Sequence, residues 1–179
     1  MPIDLNDVHA RAAKVKLLLL DVDGVLTDGT VTIDSAGGEA KSFFIRDGIS
    51  LIWARRAGVT IGLVSGRSSA TTTRRAAELG IGIVSQGNAD KRTGYAEILT
   101  AHGYGDEDVA YMADDVLDLP VLGRVGLATA PADAVDDVRS RVHWISRHAG
   151  GRGAVRELVE LVLRAKGQWD PIVEGFLAR

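Results

Sequence analysis

Six short apolar runs recur along the chain, each long enough for a strand and too short for a helix. They are VKLLLLDV (15–22), VTIGLVS (59–65), IGIVS (81–85), DVAYMA (108–113), VGLAT (125–129) and VHWIS (142–146). Helical patterns separate them at 49–58, 69–80, 91–103 and 119–125, and the first three end in glycine, a normal helix stop. Continuously apolar strands alternating with helices predict an α/β chain whose parallel sheet is covered on both faces. Residues 3–15 add a short amphipathic helix leading into the first strand. The alternation breaks once. TDGTVTIDSAGGEAKSFFIRDG (27–48) reads as a β-hairpin with a Gly-Gly turn, standing above the carboxyl edge of the sheet.

Composition narrows the setting. The 179 residues carry a net charge of −3, which offers no basic surface for nucleic acid and no polybasic membrane anchor. Cysteine is absent, which excludes disulfides and thiolate metal sites. The first residues, MPIDLNDVHARAAKVK, are charged throughout and lack the apolar core of a signal peptide. No apolar stretch approaches membrane-spanning length, so a cytoplasmic protein is expected. Without repeats, low-complexity tracts or linkers, residues 1–179 read as one domain.

In open α/β sheets, ligands bind beyond the carboxyl ends of the strands, so the polar residues there carry the functional question. The first strand delivers Asp21 and Asp23, two apart and able to project to one side, before Gly24 frees the turn. Bunched carboxylates repel and call for a cation, and all-oxygen ligands suit a hard ion such as Mg²⁺. Taken alone, the same residues also fit a plain Asp-Gly turn. The second strand ends in SGRSS, where Ser65 offers a hydroxyl and Gly66 an approachable amide; a helix N-cap at Ser68 or Ser69 is the simpler use. Lys91 opens a helix, a position where a cation is mildly disfavoured, so a phosphate or acyl-phosphate partner suits it. The fourth strand ends in ADDVLDLP, with Asp114 and Asp115 at the sheet edge and Asp118 explicable as an N-cap before Leu119-Pro120. An EF-hand fails because Gly24 is fourth, not sixth, from Asp21. A Walker A loop fails because GLVSGRS is one residue short and has arginine in place of lysine.

Together, DVDGVLTDG, SGR, Lys91 and ADDVLDLP resemble the four motifs of the haloacid dehalogenase (HAD) phosphatase superfamily. The hairpin with GGEAKSFFIRDG, the SQGNADK segment and HAGGRGAVRELVELVLRAKGQ (148–168) are similar to the family of phosphatases acting on 3-deoxy-D-manno-octulosonate (KDO) 8-phosphate. The resemblance implies a three-layer, Rossmann-like sheet with no large cap domain. It also implies a Mg²⁺-dependent phosphatase working through an aspartyl-phosphate. Asp21 takes the role of nucleophile and Asp23 that of general acid and base. The metal falls to Asp21, the Asp23 backbone carbonyl and Asp114, with Asp115 in support. Ser65, Gly66 and Lys91 hold the phosphoryl oxygens. Arg46, Arg67 and Arg152 are candidates for the sugar carboxylate, with surface ion pairs as their plain alternative. The capless members are homotetramers in which hairpins and C-terminal tails complete neighbouring pockets. The tail QWDPIVEGFLAR (168–179), read as extended, carries apolar residues that need cover from its own or another subunit.

Two positions depart from the pattern: Ala113 stands where the family has glycine, and Leu117 where it has a polar residue. KDO 8-phosphate is accordingly weighed against another sugar phosphate, such as a nine-carbon acid sugar 9-phosphate. A HAD-like binding subunit without turnover is the reading from another class.

Overall fold

The computed structural model describes residues 4–178. A first helix, α1 (Leu5–Lys14), is capped by the Asp4 carboxylate, which accepts from the Asn6 and Asp7 amides. Strand β1 (Leu17–Leu20) follows, and its four leucines are buried on both sides of the sheet. Leu18 and Leu20 pack into one core, Leu17 and Leu19 into the other, as strand alternation requires.

The remaining elements are β2 (Thr32–Ile33), β3 (Glu39–Ala40), α2 (Ile45–Arg56), β4 (Thr60–Ser65), α3 (Ala70–Glu78), β5 (Ile83–Gln86), α4 (Lys91–His102), β6 (Val109–Met112), α5 (Leu119–Leu122), β7 (Leu127–Ala130), α6 (Asp136–Arg139), β8 (Trp144–Ile145), α7 (Ala154–Ala165) and α8 (Trp169–Leu177). The six-stranded sheet has the order β5-β4-β1-β6-β7-β8 and is parallel throughout. β1 therefore lies in the interior of the sheet, with β4 and β6 beside it, and the three strand ends converge. Residues from α1, α2 and α7 pack in one core; residues from α4, α5 and α6 pack in the other.

The expected hairpin is present but compact. β2 and β3 pair antiparallel through Thr32–Ala40 and Ile33–Glu39, outside the main sheet. Asp34 organises its turn by accepting from the Ala36 and Gly38 amides, with Gly37 at positive φ. Arg46, Asp47 and Gly48, expected to close the hairpin, lie instead in the first turn of α2.

The C-terminal segment corrects the expectation of an extended tail. It forms α8, with Pro171 in the first turn, where a missing amide costs nothing. α8 docks on α2 of its own chain: the Trp169 and Phe176 rings lie 5.9 and 5.7 Å from that of Trp53. The Arg156 guanidinium from α7 covers both tryptophans at 4.5 and 4.9 Å.

Candidate active site

Because β1 is flanked by β4 and β6, the residues just past these strands meet around one point. Asp21 leaves β1 with its amide bonded to the Met112 carbonyl of β6. Its Oδ1 accepts from the Val22 amide at 2.7 Å, and its Oδ2 lies 2.9 Å from Lys91 Nζ. The turn beyond it is held by the buried Thr27 hydroxyl, which bonds the Val22 carbonyl and the Gly24 and Gly29 amides. Gly24 has φ +88°, and a Cβ there would stand 2.0 Å from Asp114 Oδ2. Only glycine lets these two segments approach so closely.

Lys91 is the first residue of α4, behind Asp90, whose carboxylate caps the Arg92 amide. Its buried ammonium bridges Asp21 and Asp118, at 2.7 Å from Asp118 Oδ1. Asp118 also accepts from the Tyr111 hydroxyl. It is buried, and although it holds the N-cap position of α5 that its place before Leu119-Pro120 allowed, its side chain makes no capping bond and turns into the site instead. Carboxylate oxygens of Asp21, Asp114 and Asp118 lie within 4.8 Å of one another. Asp114 Oδ1 and Asp118 Oδ2 are buried without hydrogen-bond partners. One ammonium among three carboxylates leaves an excess of negative charge, and two bare oxygens face it. This donor set fits a hard divalent cation.

The electrostatics follow from that crowding. Burial, then the Asp118 carboxylate, push Asp21 up to about 7, with Lys91 pulling the other way. Burial and Asp118 likewise raise Asp114 to about 6. Asp118 is raised chiefly by burial. Burial works against the Lys91 ammonium, but Asp21 and Asp118 outweigh it and hold its pKa above the ordinary value.

The other candidate residues distribute unevenly. Asp23 faces Lys41, whose Nζ lies 2.7 Å from Asp23 Oδ1. Asp115, expected to support the ion, is exposed and turns its carboxylate back onto the Val116 amide. Ser65 is buried at the end of β4, its Oγ accepting from the Arg67 amide at 3.3 Å. Around Gly66 the nearest atoms to an added Cβ are the Asn88 carbonyl oxygen and the Ala89 Cα, 3.9 and 4.0 Å away, so the loop after β4 is not crowded there. Arg67 is drawn to the hairpin, with Nη2 2.9 Å from Glu39 Oε2. Arg46 and Arg152 line a separate cavity of about 440 Å³ with His148 and Arg156. Arg152 also pairs with Asp28 at 3.3 Å, and Arg46 lies 6.0 Å from the centre of the Phe44 ring.

Sequence reasoning missed Asp118 and Lys41. For Asp118 a signal existed: a helical turn through 114–118 carries Asp114 and Asp118 on one face and sends Asp115 elsewhere. For Lys41 there was none, since a hairpin lysine reads as solvated.

Known proteins share this architecture. The 3-deoxy-D-manno-octulosonate 8-phosphate phosphatase of Escherichia coli is 40% identical over 164 residues, covering 92% of this chain and 87% of that protein. The chain belongs to the KDO 8-phosphate phosphatase family of the HAD superfamily. The crystal structure of the Moraxella catarrhalis phosphatase, in complex with magnesium, phosphate and KDO, is 35% identical with TM-score 0.94, covering 97% of this chain and 99% of that one. A cobalt-bound form of the Haemophilus influenzae phosphatase is 36% identical with TM-score 0.89, covering 93% and 99%. No family model matches the chain. Among the described residues, no helix is long and apolar enough to cross a membrane.

Proposed function

We propose that this chain is a Mg²⁺-dependent phosphatase that hydrolyses KDO 8-phosphate through an aspartyl-phosphate on Asp21. The observation that carries the reading is the buried Asp21–Lys91–Asp118 chain with the bare oxygens of Asp114 and Asp118 beside it, in a member of this family. Asp21, Asp114 and Asp118, with the Asp23 backbone carbonyl, would hold the ion. Bound there, Mg²⁺ offsets the clustered charge and lets an anionic nucleophile approach an anionic phosphate.

An Asp21 carboxylate oxygen bonds to phosphorus as the bond from phosphorus to the sugar oxygen breaks. Asp23 gives its proton to that departing oxygen. Water then attacks phosphorus, Asp23 takes the water's proton, and the Asp21–phosphorus bond breaks. Lys91, the Ser65 hydroxyl and the Gly66 amide hold the transferring oxygens. Arg46 and Arg152 share one cavity and are the pair we assign to a sugar carboxylate; Asp28 engages Arg152 as Glu39 engages Arg67, so sharing the cavity is what favours them. Ala113 is buried in the apolar core, with its amide bonded to the Thr129 carbonyl. The methyl is accommodated, which favours turnover over a binding subunit.

Residues 1–179 act in this reading as one hydrolase domain in the cytoplasm. We propose further that it works as a homotetramer; the exposed Ile33 of the hairpin and Leu117 beside the site favour covered surfaces. Light scattering after gel filtration tests that point.

Phosphate release across a panel of sugar phosphates tests the function. Release from KDO 8-phosphate is expected to need Mg²⁺ and to fall at least about 10³-fold in Asp21→Asn. Selective release from a nine-carbon acid sugar 9-phosphate would keep the mechanism and replace the substrate. No mutant-sensitive release from any ester would sink the enzyme reading.

A further inference from the structure

Lys41 follows β3 on a hairpin whose paired residues are largely exposed, yet its own side chain has 0% exposure. Its Nζ lies 2.7 Å from Asp23 Oδ1 and 3.9 Å from Glu39 Oε1. The Asp23 contact is an ion pair whose angles fall short of a hydrogen bond. Taking an ammonium out of water costs several kcal/mol unless it is paired, so such a lysine persists only where its partner holds it.

A two-residue ladder does not stabilise a hairpin by itself. What fixes this one is the pair Glu39 and Lys41, two apart along the chain. Glu39 accepts from the Ser69 hydroxyl at 2.5 Å and pairs with Arg67, both just past β4. The Thr71 hydroxyl bonds the Glu39 carbonyl at 3.4 Å. Lys41 reaches the other loop, past β1. The hairpin thus straps together the loop after β4 and the loop after β1, and its one fully buried ammonium rests on the proposed acid and base.

We infer that Lys41 is a positioning residue for Asp23: it fixes Oδ1, leaving the second oxygen to exchange a proton with the departing sugar oxygen and then with water. The inference rests on the phosphatase reading above. In the first half-reaction the bond from phosphorus to the sugar oxygen breaks as the Asp21–phosphorus bond forms, and the Asp23 proton moves to the sugar oxygen. An alkoxide leaves poorly without that proton. A p-nitrophenolate leaves as a stable anion and needs none.

The test compares kcat/KM, which reports steps up to aspartyl-phosphate formation, for KDO 8-phosphate and p-nitrophenyl phosphate. Lys41→Met is expected to lower kcat/KM about 10²-fold for the sugar ester and less than about threefold for the aryl ester. In an Asp23→Asn background the same change should cost the sugar ester nothing further, since the two residues act as a unit. Equal losses on both esters, or additive losses in the double variant, would overturn the role. Lys41→Gln, neutral and of similar length, carries the same expectation should the methionine variant not fold. A wild-type protein that releases phosphate from neither ester would overturn the phosphatase reading and this inference with it. An active wild type with unselective losses sinks the Lys41 role alone.

Discussion

Asp47 sits in the first turn of α2 and Asp114 just past β6, and burial raises both carboxyls above their ordinary range. The protein around them differs in kind. Asp47 Oδ1 accepts from the Arg156 amide at 2.8 Å and Oδ2 from the Gly153 amide at 3.3 Å, so it caps α7, whose own N-cap is glycine. Backbone donors and the positive end of the helix offset the desolvation of that charge. Asp114 Oδ1 receives no donor, and the next carboxylate, Asp118, raises its pKa further. A buried charge with donors joins elements of the fold. A buried charge without them is a cost that only a ligand can offset.

Alanine at each position separates the two uses. Asp114→Ala should lower Mg²⁺-dependent phosphate release at least about 10²-fold, the several kcal/mol a metal contributes to charge stabilisation. It removes only a bond from its own amide and relieves the repulsion with Asp118, so the metal-free melting temperature at pH 8 should hold or rise. An equal fall in stability and activity would break the contrast.

pH sharpens it. A carboxyl whose folded pKa lies above the unfolded value contributes stability that is present at low pH and lost as pH rises through the folded pKa. For Asp114 that window runs from the ordinary 3.8 to about 6, and for Asp21 to about 7. Metal-free wild type should therefore gain stability relative to Asp114→Ala as pH falls from 8 to 5.5, by about 2 °C in Tm. Saturating Mg²⁺ binds the ionised carboxylates and should remove much of that gain. A difference between the two proteins that ignores pH would show that Asp114 carries no protonation cost.

Asp47→Ala should do the reverse of Asp114→Ala. Losing both bonds to the head of α7 should cost about 2 kcal/mol by thermal or urea unfolding. With the Asp21–Lys91–Asp118 cluster untouched, kcat/KM for p-nitrophenyl phosphate, which has no sugar carboxylate to engage the Arg46–Arg152 cavity, should stay within about twofold of wild type at a temperature where the variant is folded. A selective loss of activity without loss of stability would place Asp47 in the chemistry instead.

The layered sheet was legible because its signal is local. Runs such as LLLL at 17–20 and TIGLVS at 60–65 are apolar on both faces, and few folds bury both faces of a strand. Asp21 and Lys91 were legible because strand ends and helix starts are places that topology converges. Asp118 was not, because DLP satisfies the grammar of a helix start, and only the placement of Lys91 and Tyr111 draws its carboxylate inward. Lys41 was hidden for a similar reason: its burial depends on a hairpin folding back over Asp23. The helical tail was not legible because Pro171 and Gly175 give it little local helix preference, and its helix depends on packing of Trp169 and Phe176 against Trp53.

Asp115 offers the smallest and most discriminating test. It neighbours Asp114 in sequence, and the ADD spacing gives both the same claim on the metal. Its carboxylate instead accepts from its neighbour, the Val116 amide, at 2.7 Å, and it is exposed. Asp115→Ala should therefore cost about 1 kcal/mol of stability, the ordinary worth of such a cap. Mg²⁺ affinity, read by titration calorimetry on the intact protein, should change less than about threefold, well short of the tenfold or more typical of a supporting ligand. A fall of tenfold or more would mean that Asp115 swings round to support the ion once it binds. The boundary between structural and metal-holding carboxylates would then run through the 114–118 turn rather than between it and α7.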